Sequence, residues 1–147
     1  MCSSDLFLQN DGAVLGMDGL PGLHFTASVV NNLFVVVYHM NHLSIMSAAG
    51  LVKSGGVYTY DFSSGSGQVY GGTDGHKELP MGYWGMTGGD GDHNGMIGTT
   101  DYSPVWETEA GTTGYLDSDY NLDQQSDNKD KDDIWTPNQG KGTQVPD

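Results

Sequence analysis

Acidic and amide side chains recur at alternate positions in two stretches of this 147-residue chain, and that spacing could gather oxygens round a hard cation. The first stretch is DGDHNGMIGTTDYSPVW, residues 90–106, and the second is DYNLDQQSDNKDKDDIW, residues 119–135. They are one pattern written twice, at an offset of 29 residues. At that offset Asp90 meets Asp119, Asp92 meets Asn121, Asn94 meets Asp123 and Asp101 meets Asp130; Val105, Trp106 and Gly111 meet Ile134, Trp135 and Gly140. Such a repeat fixes the unit of structure before anything else is decided. A calcium loop takes ligands from positions 1, 3, 5, 7, 9 and 12, with a tight turn near position 6. In the first copy these are Asp90, Asp92, Asn94, the Met96 carbonyl, Gly98 (through a water) and Asp101, with Gly95 at the turn. In the second they are Asp119, Asn121, Asp123, the Gln125 carbonyl, Asp127 and Asp130.

The plainer reading is a pair of solvated acidic loops. Two matches in register within a longer repeat favour calcium. Calcium wants six to eight oxygens at roughly 2.3–2.6 Å, and without a cation carboxylates so close would raise each other's pKa. The second copy departs at two places: Gln124 replaces the turn glycine, and Ser126 replaces the hydrophobic Ile97. A non-glycine residue held at positive φ costs up to about 1 kcal/mol, and the extra acid Asp127 offsets it.

Each loop is followed by a short helical stretch and preceded by none, since GYWGMTGG and GTTGYLDS are not amphipathic. Position 12 is Asp in both copies, not the Glu of helix–loop–helix sensors. Two such loop–helix units resemble the dockerin module of type I, over roughly Gly88 to Pro146. The resemblance implies two antiparallel helices clamped by two calcium ions. It also implies that positions 10 and 11, Thr99 and Thr100 in the first copy, help recognise a cohesin partner. The second copy carries Asn128 and Lys129 there.

The charge agrees with metal in the C-terminal third. Nineteen acids face five lysines and no arginine, for a net charge of −14, and thirteen of the acids lie in residues 90–147. Such a chain has no electrostatic attraction for nucleic acid or an anionic membrane. No apolar run is long enough to insert in a bilayer. The single cysteine, Cys2, excludes an internal disulfide. MCSSDL, residues 1–6, reads as a non-native leader, with the native chain extending further upstream; a lipid-anchored Cys2 would need an apolar signal before it. Calcium loops suit the extracellular space or cell surface, where calcium is abundant.

Residues 7–87 have the texture of β-structure. NNLFVVVYHM is a run of apolar, β-branched residues without helical period, HLSIMSA is extended, VYTYDF alternates, and GYWGM is a last short strand. Turn signals stand at Asn10-Asp11-Gly12, Asp18-Gly19, Pro21-Gly22 and Ser54-Gly55-Gly56. These features predict an antiparallel β-sandwich over 7–87, then a small calcium-binding domain over 88–147, in a mainly β protein. VVYHMNHLSIMSA, SGGVYTYDFSS and GYWGMTGGDGD also resemble a module at the C-terminus of large secreted proteins of Bacteroidota and similar bacteria. That resemblance implies architecture and location more than activity.

His39 and His42, three apart on an extended segment, point to opposite faces and read as structural, His42 with Asn41 tying a turn to neighbouring backbone. His24, His76 and His93 are single. Trp106 and Trp135 read as the shared core of the repeats, Pro104 as a first-turn proline, and Pro137 as the stop of the second helix. No GxSxG, HExxH, phosphate loop or partnered cysteine is present, which points away from an enzyme. The expected function is a calcium-stabilised extracellular module for protein assembly, its partner a cell-surface protein or copies of itself in a homopolymeric fibre. The alternatives are the non-catalytic tail of a larger secreted hydrolase and a cohesin-binding dockerin.

Overall fold

The computed structural model describes residues 6–8, 14–22, 24 and 28–146. The expected leader, apart from Leu6, and the turn at Asn10–Gly12 lie outside the described residues. The chain divides into two compact units, residues 1–31 and 32–147. In the first, β1 (Leu6–Leu8) pairs antiparallel with β2 (Val14–Gly16), and Gly16 accepts and donates backbone hydrogen bonds that close the turn at Asp18-Gly19.

No β-sandwich forms, and this corrects the fold class expected for residues 7–87. Among the described residues the strands make four separate two-stranded antiparallel sheets. Besides β1 and β2, β3 (Val36–Val37) pairs with β4 (Ile45–Met46), β5 (Val52–Ser54) with β6 (Val57–Thr59), and β7 (His76–Glu78) with β8 (Trp84–Met86). A sandwich needs two inner faces that interdigitate. Here each strand is two or three residues long, and β5 and β6 are uncovered, with Val52 69% and Val57 61% exposed. The run LFVVVY contributes only Val36 and Val37 to a ladder, while Phe34 and Tyr38 face solvent. Gly55 and Gly56, both at positive φ, make the two-residue β5–β6 turn, as the right-handed twist of a hairpin requires.

The second unit runs across the junction expected at 87/88. Leu43 N donates to Thr87 O at 2.8 Å, and Gly89 N and Asp90 N both donate to Asn41 O. The buried Asn41 amide reaches Asp119 O at 2.7 Å, and the buried Asn138 amide reaches Gly88 O at 3.0 Å. Thr143 Oγ1 donates to Ser44 O at 2.7 Å. Leu43, Ile45, Val69, Ile97, Trp106 and Tyr120 form the buried apolar core of this unit.

Both expected helices are present. Residues 99–109 wind as an α-turn (Thr99–Asp101), a wider π-helical run (Tyr102–Trp106) and another α-turn (Glu107–Glu109). The second helix passes through a π-helical run (Asp130–Trp135) into Thr136–Asn138. Pro104 lies inside the first π-run, beyond the first turn where it was expected. The second run winds alike without a proline, so Pro104 is not what widens the helix. Pro137 sits within the last helical turn and does not stop the second helix, which ends beyond it at Asn138. Both helices leave through an extended residue, Ala110 or Gln139, and then a left-handed glycine, Gly111 (φ 85°) or Gly140 (φ 82°).

Candidate metal centre

The two copies are built alike and hold each other. Each loop pairs with the segment that follows the other copy's helix: Met96 bridges Gly142, and Thr113 bridges Gln125. Ile97 N donates to Lys141 O and Gly140 N to Ile97 O; at the same offset Ser126 N donates to Thr112 O and Gly111 N to Ser126 O. The tryptophans cross over. Trp106 Nε1 donates to Asp127 O, and Trp135 Nε1 donates to Gly98 O, both at 3.0 Å. Tyr102 stacks on Trp106 at 5.4 Å and on Trp135 at 5.0 Å, and Lys131 lies over the Trp106 face. Each helix thus fixes position 9 of the opposite loop.

Asp90, Asp92 and Asp101 converge in the first loop, and this acidic cluster could hold a metal ion. Each offers a carboxylate oxygen, and the three oxygens lie within 4.8 Å of one another. Asp90 is 3% exposed, Asp101 is fully buried and Asp92 half-buried. The loop backbone holds them in place. Gly95 N donates to both oxygens of Asp90, at 3.1 and 3.3 Å. Asp101 accepts from Asp92 N at 3.1 Å and from Gly98 N at 2.7 Å. Asn94 N donates to Asp92, and Asn94 Oδ1 accepts from Met96 N at 2.8 Å. Asn94 and Met96 are therefore on the loop rim beside the acids, with Thr100 Oγ1 accepting from Asn94 Nδ2 at 3.0 Å. Thr99 and Thr100 are exposed at the helix start.

The electrostatics are those of acids pressed together out of water. Burial, then the charges of Asp101 and Asp92, push the Asp90 carboxyl up to about 6 against the Gly95 hydrogen bond. Burial likewise raises Asp101. Burial would raise Asp92 too, but hydrogen bonds from Thr100, Asn94 and the Asp101 carboxyl bring it below the ordinary range. A cation would supply the missing positive charge and release the held protons.

The second loop repeats the backbone with different chemistry. Asp130, fully buried, accepts from Asn121 N at 3.0 Å and Asp127 N at 2.8 Å, as Asp101 does at the equivalent positions. Burial raises its pKa first of all. Asp119 accepts from Asp123 N at 3.0 Å and Gln124 N at 2.9 Å. Position 3 is the amide Asn121, so the place of the third acid is neutral, and the other acids, Asp123 and Asp127, lie at the rim. Among the described residues three carboxylates gather within 4.8 Å only in the first loop. Gln124 holds φ 71° where Gly95 holds 82°, and Leu122 (63°) matches His93 (61°). Gln125 is exposed, and the bonds of its bridge with Thr113 run from Ser126 N to Thr112 O and from Gly114 N to Gln124 O, leaving the Gln125 carbonyl outside them.

Sequence reasoning missed two supports. Ser126, polar where Ile97 is apolar, is fully buried and donates a 2.7 Å hydrogen bond to Ser118 Oγ, which donates its own proton to Glu109 at 2.6 Å. Tyr120 is buried with its hydroxyl donating to Asp101 O at 3.0 Å. Its repeat partner is Gly91, where a Cβ would stand 2.8 Å from that hydroxyl. A large residue set against a glycine at one offset was the available signal. Asn41, outside the repeat and expected with His42 to tie a turn to neighbouring backbone, sends its amide to the distant Asp119 O instead. His42 Nδ1 donates to Asn41 Oδ1 at 2.7 Å, and His39 and His42 meet edge to face at 4.6 Å. No family model, curated protein or solved structure matches the chain.

Proposed function

We propose that this chain is a calcium-binding module that works outside the cell, each loop taking one ion. The observation that carries the reading is the convergence of Asp90, Asp92 and Asp101, two of them buried, at spacings that calcium loops use. For the second ion the support is the matched backbone around Asp119 and Asp130, with Asn121, Asp123, Asp127 and the Gln125 carbonyl completing the oxygens. Carboxylates suit a hard cation and exclude none of the soft-metal chemistry elsewhere. Two ions would cancel four of the fourteen excess negative charges.

The clamped repeat is the dockerin-like part of the reading, and protein assembly is its proposed use. The exposed Thr99 and Thr100 would meet a cell-surface protein or another copy of this chain. Ligand held by the native state alone adds about 2.7 kcal/mol per site at a hundredfold excess over Kd. Calorimetric titration of the chelator-treated protein is expected to give two calcium ions per chain, and calcium to raise the melting temperature. Identical melting curves in calcium and in chelator would reject the proposal.

A further inference from the structure

We propose that Asn94–Gly95 is a self-modification site whose chemistry the closed first loop holds in check. It is the one Asn–Gly dipeptide in the chain, and glycine leaves its own amide nitrogen unshielded by a side chain. In the reaction the Gly95 nitrogen gives its proton to solvent base and attacks Cγ of Asn94. The new N–C bond closes a five-membered succinimide, and Nδ2 departs as ammonia. One water then opens the ring at either carbonyl, leaving aspartate or isoaspartate at position 94. A water is consumed, an ammonia is released, and nothing is oxidised or reduced.

Glycine suits the turn of this loop. Gly95 holds φ 82°, and a Cβ there would stand 2.9 Å from Thr143 Cγ2, so a side chain beside Asn94 would have to displace the threonine. The second copy, Asp123–Gln124, escapes the problem by replacing both residues. What the first loop does instead is to engage the attacking nitrogen and both heteroatoms of the Asn94 amide. The Gly95 N–H is committed to the Asp90 carboxylate at 3.1 and 3.3 Å. Asn94 Oδ1 accepts from Met96 N at 2.8 Å. The leaving nitrogen, Nδ2, donates to Asp92 Oδ2 at 2.7 Å and to Thr100 Oγ1 at 3.0 Å. Asn94 itself is exposed, so water reaches it as soon as those bonds open. Aspartate at 94 would match Asp123 of the other loop. Isoaspartate would insert an extra backbone carbon before Gly95 and break the register of the Gly95 and Met96 amides.

The lock consists of the chain's own hydrogen bonds and does not require the calcium reading. The test follows the full chain in mildly alkaline buffer with chelator, folded and in urea, by peptide mapping and mass spectrometry. Conversion of the amide changes mass, whereas isomerisation at the neighbouring Asp90–Gly91 does not. Deamidation at Asn94 is expected to be about tenfold or more slower in the folded protein, since it must await local opening. Thr100→Val, which removes one bond to the leaving nitrogen, is expected to speed it severalfold in the folded protein. Equal rates folded and unfolded, or no conversion at Asn94 in urea, would overturn the proposal. Protection seen only when calcium is added would also overturn it, while supporting the cation site.

Discussion

Asp90 is an acid in a place that disfavours its charge. It is buried, it faces Asp101 and Asp92, and its pKa stands near 6 in the fold against 3.8 outside it. A folded value raised above the unfolded one means stability that is full below about 3.8 and lost as pH rises through about 6. At neutral pH without metal, the ionised carboxylate therefore strains the fold, by roughly 3 kcal/mol at 1.36 kcal/mol per pKa unit. Asp90→Asn removes the charge and keeps the shape. In chelator at pH 7 it is expected to melt above the wild type, by on the order of 1–3 kcal/mol, the gap closing near pH 4. In calcium the order is expected to reverse, because the variant has lost a ligand. Paired melting curves in the two buffers check this, and a variant less stable in both would show Asp90 to be purely structural. Gln124 carries strain of another kind, a non-glycine residue at φ 71°. Its backbone N–H, not its exposed side chain, makes the contact with Asp119. Gln124→Gly is thus expected to stabilise by up to about 1 kcal/mol, less the entropy glycine adds to the unfolded chain, as denaturant titration would show.

At the scale of elements, each helix serves the loop that is not its own. Trp135 reaches Gly98 in the first loop and Trp106 reaches Asp127 in the second. Trp135→Phe keeps the ring against Tyr102 but leaves Gly98 O with only the longer bond from Asp101 N, at 3.3 Å, and is expected to cost about 1 kcal/mol. Hydrogen exchange should show the loosening at residues 95–101 in that variant, and at 124–130 in Trp106→Phe. Loosening confined to each variant's own copy would refute the exchange of supports. Much of this third of the molecule was legible in the sequence. The offset of 29 marked both loops, both helices, the paired tryptophans and the paired glycines, because a repeat carries its own control. The sandwich was misread because apolar, β-branched residues report burial and extension but not strand partners. Leu33 to Tyr38 has the composition of a core strand, yet neighbouring turns leave it two residues of ladder. The crossing of supports, and Asn41 bonding Asp119 from 78 residues away, depend on packing that no local pattern records.

At the scale of the whole molecule, acid acts with both signs, and magnitudes decide between them. Protonating Asp90 stabilises the metal-free fold as pH falls through about 6, and Asp101 and Asp130, whose pKa values burial also raises, act in the same sense. The histidines oppose this. Burial lowers His42 from 6.5 to about 3, helped by the nearby charges of His39 and Lys77. Burial also lowers His39 and His76. His76 is buried beside Trp84, and among the described residues neither ring nitrogen has a hydrogen-bond partner. A folded pKa below the unfolded one gives stability that is full above 6.5 and lost as pH falls beneath it. The gap at His42, 6.5 to about 3, is wider than that at Asp90, 3.8 to about 6; two further histidines add to the first, and two further carboxylates, Asp101 and Asp130, add to the second. Taking the widest gap on each side, the histidine loss exceeds the carboxylate gain, and the protein in chelator is expected to lose melting temperature between pH 6.5 and 4. His42→Gln, which keeps a donor for Asn41 Oδ1 but cannot titrate, is expected to flatten that fall. A wild type whose melting temperature climbs over the same range would place the carboxylates, not the histidines, in control of the fold.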